Sequence, residues 1–213
     1  MSFYVTEFLL VAGAHLLAVI SPGPDFALVL KQSLVKGRRV AVWSSIGIGM
    51  GVFVHIAYCL FGIGLLILGS PELFAVVKWM GALYLFWLGW QCLRSHPASH
   101  PAGDAAGDES SSKDSTRGAW LTGFLTNVLN PKATLFFLAL FSAGINPATP
   151  RLIQAFYGLW MAIVTILWFV FVSIVLTHPD IRARFLRISR WIERLTGVVL
   201  LGFAVRLTMA SAR

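Results

Sequence analysis

Charge is what this sequence has least of. Only 12% of its 213 residues are Asp, Glu, Lys or Arg, roughly half the ~25% of an ordinary soluble domain, whereas 57% are hydrophobic. Acidic residues are scarcest, 9 against 17 Lys and Arg. At a mean hydropathy of +0.78, too little polar surface is left to wrap a soluble core, and a disordered or collagen-like chain is excluded by the same composition. Cysteine is nearly absent. Cys59 and Cys92 lie inside apolar runs and read as small buried hydrophobes, so there is no disulfide framework. A GxxxxGK[ST] loop is lacking, which excludes an ATP-driven pump within this chain. What remains is an integral membrane protein.

A helix needs about 20 apolar residues to cross a bilayer. Long stretches free of charge run from Val40 to Ser70 and from Leu152 to Pro179. Phe8 to Lys31 is interrupted only by Asp25, Gly118 to Asn146 only by Lys132, and Leu73 to Leu93 only by Lys78. Trp191 to Ala210 carries Glu193, Arg194 and Arg206 and is the weakest of the six; without it there are five. The first run lacks a basic leader and outlasts a signal-peptide core, so it reads as a retained span.

With the N-terminus outside and six helices alternating, Lys31, Lys36, Arg38, Arg39, Arg94, Lys113, Arg117, Arg182, Arg184, Arg187, Arg190 and Arg194 all face the cytoplasm. Only Lys78, Arg151 and Arg213 face outward, and Lys132 and Arg206 fall within spans. This asymmetry follows the positive-inside rule and absorbs most of the net charge of +8, so no nucleic-acid partner is needed to explain it. Residues 95–117 are mostly Ser, Ala, Gly, Pro and Asp and read as a flexible cytoplasmic linker between a first three-helix repeat, 1–94, and a second, 118–213. His96 and His100 in that linker are too isolated to suggest a metal site. Residues 181–194 place Ile181, Phe185, Ile188 and Ile192 at helical spacing among arginines, as in an interfacial helix on anionic headgroups.

The most informative positions are the breaks. Span one contains Ser21-Pro22-Gly23-Pro24-Asp25 and span four Asn130-Pro131-Lys132. Proline inside a helix removes a donor and clashes with the preceding turn, at about 3 kcal/mol. In lipid such a break survives only where protein or a polar cavity surrounds it. Ser21 and Asn130 are good N-caps, each followed by a proline at the first helical position. The sequence therefore predicts half-helices starting mid-membrane, whose free amides and dipole favour an anion. Each broken span is the first of three, so the halves insert with opposite orientation. Broken helices at matching positions of inverted repeats point to a transporter's binding site, here Ser21, Pro22, Gly23, Pro24, Asp25, Asn130, Pro131 and Lys132.

Asp25 and Lys132 are the deepest ionisable residues, and a charge at the bilayer centre costs about 2.5–3.5 kcal/mol even on lenient scales, so such residues are usually functional and paired. Asp25, the only acidic side chain deep in a predicted span, is the candidate proton-coupling group. Each has a bland alternative: Asp25 capping its own half-helix, Lys132 serving as counter-ion. Gly47, Gly49 and Gly51 lack the strand and acidic residue of a dinucleotide loop, and Gly47 and Gly51 fit close helix packing. His15 and His55 read as packing residues before proton relays, and Tyr84, Trp87, Trp90, Trp160 and Trp168 as interface and packing aromatics. An intramembrane enzyme, with Ser21 as nucleophile and His15 or His55 as base, lacks a third group to orient the histidine. A metal-ion exporter needs several ligands near the midplane, where Asp25 stands nearly alone and Lys132 repels cations.

The wording of these breaks is recognisable. Ser21-Pro22-Gly23-Pro24-Asp25-Phe26, Gly37-Arg38-Arg39, Gly47 to Gly51, Gly81-Ala82-Leu83-Tyr84-Leu85 with Leu88-Gly89-Trp90, and Gly123-Phe124-Leu125-Thr126-Asn127 with Asn130-Pro131-Lys132-Ala133 together resemble the LysE/RhtB amino-acid exporter family, and within it the RhtB branch of threonine and homoserine exporters. The likeness spans nearly the whole chain, including the hydrophilic mid-loop and Gly197 to Leu207. It implies an all-α carrier in a bacterial inner membrane that exports small amino acids by proton antiport; no cofactor and no catalytic residue is expected, and the charge asymmetry makes both termini periplasmic. The superfamily also holds metal-ion exporters, so the substrate does not follow from the fold. The oligomeric state is left open, a homo-oligomer included.

Overall fold

The computed structural model describes residues 3–69, 71–94, 115–146, 148–175 and 178–209. Every regular element among them is helical: α1 Phe3–Ile20, α2 Pro24–Val35, α3 Arg38–Gly69, α4 Pro71–Arg94, α5 Thr116–Val128, α6 Pro131–Ala139, a π-helical turn Leu140–Gly144, α7 Arg151–Val175 and α8 Pro179–Met209. Most of the expected linker, with His96 and His100, lies outside the described residues. Its end at 117 is two residues too long, because Ser115 accepts a hydrogen bond from the Gly118 amide and starts α5 at Thr116.

Among the described residues three helices are long and apolar enough to cross a membrane: Phe3–Ile20, Arg38–Gly62 and Arg151–Val175. A fourth is made by Thr116–Val128 and Pro131–Ser142 if this pair, bent by 53°, counts as one span. The two remaining expected spans fall in α4 and α8. The first span differs from two half-helices, because the 18 residues of α1 have the length of a crossing by themselves and α2 adds a further 12. The expected interfacial helix 181–194 and last span are also not separate. They form one continuous α8, since no proline or glycine interrupts residues 180–196 and their helix formers carry the turn onward.

Glycine sets how closely the helices approach. A Cβ at Gly47 would land on the Trp120 carbonyl, and one at Gly123 on the Ser44 carbonyl, so α3 and α5 touch backbone to backbone. Ser44 Oγ donates to the Ala119 carbonyl at 2.7 Å across the same seam. At Gly51 an added Cβ would stand 2.7 Å from Asn127 Oδ1. Gly47 and Gly51 thus serve close packing, as their spacing suggested. Gly89 and Gly197 make the corresponding approach between α4 and α8. Gly37, at φ +88°, is the turn between α2 and α3, a left-handed conformation that favours glycine.

The core holds Val11, Leu85, Leu140, Tyr157, Met161 and Leu200, with a second cluster around Phe26, Val29, Ile48, Phe169 and Val172. Large apolar side chains also cover the outside: Leu9, Phe53, Leu83, Phe86, Leu167 and Phe171 are all exposed. A soluble monomer does not leave such a surface to water, whereas a bilayer covers it.

Candidate functional site

The two helix breaks meet. Pro22 stops α1 after Ser21, whose amide still donates to Leu17 O at 3.1 Å. The next helix starts later than the sequence suggested. Gly23, in extended conformation, is the N-cap of α2 and Pro24 its first residue, so the expected cap at Ser21 is not formed and no side chain caps this first turn. At the second break the expected cap is present. Asn130 Oδ1 accepts from the amides of Lys132 at 3.0 Å and Ala133 at 3.4 Å, with Pro131 in the first turn. Those two amides are therefore already occupied by protein.

Each break is held by charged or amide groups of the other. Asp25 Oδ2 accepts from Asn127 Nδ2 at 2.9 Å and Asn130 Nδ2 at 3.2 Å. In return Lys132 Nζ donates to Ser21 Oγ at 2.9 Å, to Pro22 O at 3.1 Å and to Ser21 O at 3.4 Å. The carboxylate and the ammonium are thus not hydrogen-bonded to each other, although their charges still interact. Ser21, Asp25, Asn127 and Asn130 are all buried, and Asp25 Oδ1 and Asn127 Oδ1 have no partner.

Between the breaks lies a cavity of about 60 Å³, several times the ~10–15 Å³ that one water requires. Ser21, Gly23, Asp25, Asn127, Asn130 and Lys132 form its polar side, and Phe26, Val52, Phe136, Phe137 and Phe169 much of the rest. Polar groups of both signs beside an aromatic wall suit a small molecule with a charged head and a short side chain.

His15 and His55 take different places. His55 Nε2 meets the Asn127 carbonyl at 3.1 Å, and since a carbonyl only accepts, that nitrogen carries the proton. His55 Nδ1 lies 2.8 Å from the Tyr58 hydroxyl, which reaches Thr134 O at 3.2 Å. The histidine thereby braces the broken α5–α6 span. His15 lines the cavity and meets Thr165 Oγ1 at 3.2 Å through Nε2. Neither histidine is bonded to Ser21, whose hydroxyl is taken by Lys132.

Two residues escaped the sequence reading as site components. Asn127 stands one helical turn before Asn130, and that i, i+3 amide pair in an apolar span was the available signal. Glu7 is a further buried acidic side chain, near the start of α1 and ahead of the run Phe8 to Lys31. It sits within α1, buried, and accepts from Asn146 N at 2.6 Å, Thr149 Oγ1 at 2.9 Å and Tyr157 OH at 3.2 Å. Among the described residues no three His, Cys, Asp or Glu side chains gather as a metal site would require.

Residues 16–211 match the family described as LysE type translocator. The chain is 32% identical to a threonine efflux protein of Escherichia coli (strain K12) over 207 residues, covering 95% of this chain and 98% of that one. It is 31% identical to a threonine efflux protein of Salmonella typhi over 205 residues, 95% and 98% of the two chains. A leucine efflux protein of Klebsiella pneumoniae is 28% identical over 212 residues, 96% of each chain. No solved structure matches.

Proposed function

Because the chain belongs to the LysE type translocator family, and is therefore a membrane transporter and not an enzyme, we propose that it exports small neutral amino acids such as threonine from a bacterial cell. Relatives named for threonine and leucine efflux support amino acids as the substrate class. The carrying observation is that a buried carboxylate and an ammonium face one cavity without being hydrogen-bonded to each other. A zwitterion suits both, its carboxylate exchanging for one of the three oxygens that Lys132 Nζ already holds. Its ammonium meets Asp25 Oδ1, the carboxylate oxygen without a partner, and its carboxylate meets Lys132 Nζ and the uncapped first turn of α2. Because Asn130 fills the first amides of α6, Lys132 rather than that helix end is the anion's main partner.

The transporter is a secondary carrier of the inner membrane, with six spans in two inverted repeats, α1–α4 and α5–α8, and both termini outside. In this arrangement each repeat opens on two helices joined at a proline break, α1–α2 and α5–α6, and transporters with breaks at matching positions hold substrate and coupling ion there. Coupling is proton antiport through Asp25. A proton entering from outside neutralises the carboxylate and frees the substrate ammonium outward, and loss of that proton to the cytoplasm restores the site. Lys132 beside the cavity disfavours a metal cation as cargo. The test is counterflow of labelled amino acids into proteoliposomes, with and without a pH gradient. Exchange of threonine and its neighbours, accelerated by the gradient, is the expected result; no exchange with any amino acid overturns the reading.

A further inference from the structure

The cavity has a second polar pair besides the charged groups. His15 on α1 and Thr165 on α7 both line it, both are almost wholly buried, and they meet at 3.2 Å. Their surroundings are otherwise apolar: the His15 ring lies 6.3 Å from Phe136, 6.2 Å from Phe137 and 5.9 Å from Trp160, centre to centre. In that setting a polar atom left without a partner is unfavourable, and the great majority of buried polar atoms have one. His15 Nδ1 has none.

We infer that His15 and Thr165 form the subsite that reads the substrate's side chain, and that the side chain it selects carries a hydroxyl. This inference rests on the export reading above. With the zwitterionic head between Asp25 and Lys132, the side chain extends into the aromatic part of the cavity, whose wall otherwise offers only apolar contact. The imidazole can carry its proton on either nitrogen. When Nε2 donates to Thr165, Nδ1 is an acceptor; when Thr165 donates to Nε2, Nδ1 carries the proton and is a donor. A hydroxyl both donates and accepts, so it completes the pair in either tautomer. A methyl group in the same position completes neither, and leaves Nδ1 without a partner.

The distinction has a size. An apolar pocket discriminates between near-isosteres by about a hundredfold at most, whereas a pocket built to hydrogen-bond a hydroxyl rejects the analogue lacking it far more strongly, because its own polar groups are then stranded. Threonine and valine are the near-isosteric pair that isolates this effect.

The experiment is competitive transport of labelled threonine and valine by the full-length protein in proteoliposomes, read as the ratio of kcat/KM for the two. The wild type is expected to favour threonine, and Thr165→Val, which removes the hydroxyl at constant volume, to lower that ratio by at least about tenfold. His15→Phe keeps a ring of similar size and is expected to lower it likewise, so the inference stays testable if one variant does not insert. A wild type that carries both substrates equally, or variants that slow both in proportion, overturn the hydroxyl subsite while export stands. A wild type that carries neither overturns the export reading itself.

Discussion

Asp25 and Lys132 are both secured from the far side of the cavity: the carboxylate by Asn127 and Asn130, the ammonium by Ser21 and Pro22. Neither can be repositioned without loosening the opposite break. Asp25→Asn keeps the shape but cannot cycle a proton, so it is expected to abolish accumulation driven by a pH gradient while some exchange of threonine remains; normal gradient-driven export by this variant would remove Asp25 as the carrier. Asp25, Asn130 and Lys132 were legible in the sequence because polar residues beside proline in an apolar span have few structural explanations. Their partners were not. The bonds of Asp25 to Asn127 and of Lys132 to Ser21 join residues about a hundred positions apart, separations no local pattern encodes. Glu7 was passed over because it precedes the uncharged run, and only the fold brings Thr149 and Tyr157 to it.

Among the helices, the seam between α3 and α5 is the tightest contact, backbone against backbone at Gly47 and Gly123. Gly123→Leu drives a side chain into the Ser44 carbonyl, which cannot yield as a flexible side chain would. Overpacking of this kind costs about 1–3 kcal/mol or more, so the purified variant is expected to melt well below the wild type or not to be recovered. Gly13→Ala is the control, since a Cβ there meets nothing within 4 Å and alanine in a helix interior is favoured by about 0.5–1 kcal/mol. A lowered melting point for both variants alike would contradict the seam. At the other end of α1, Glu7 ties the helix to Asn146, to Thr149 and to Tyr157 of α7 through three hydrogen bonds. Glu7→Ala strands those donors, and a loss of about 1.5–3 kcal/mol is expected for bonds to a charged group, read as a lower melting temperature in detergent. The helices themselves were largely legible from hydropathy and proline. Their ends were less so: α2 begins at Pro24 because that proline holds the preceding Gly23 extended, and α8 runs unbroken because nothing in residues 180–196 stops it.

For the whole molecule, apolar residues both fill the core and cover the exterior, and the six-span topology with both termini outside is a proposal that rests on the distribution of basic residues along the sequence. Cysteines introduced at Ser2 and Ser211 are expected to react with an impermeant maleimide from the periplasmic side; reaction at Ser2 alone would leave five spans. The class of the protein was legible from composition, because only a bilayer accepts so little charge. The cavity was not, since its walls come from α1, α2, α3, α5, α6 and α7 together. Its occupant is the central claim, a zwitterion held between Asp25 and Lys132, and the most direct measurement is equilibrium binding of labelled threonine and of threonine methyl ester to the purified wild type and Lys132→Met. The account predicts that threonine binding weakens by about 10- to 100-fold in the variant, the equivalent of ~1.5–3 kcal/mol for a charge-assisted bond, while the ester, which has no carboxylate, binds both proteins alike. Threonine binding as tight in Lys132→Met as in the wild type would contradict it.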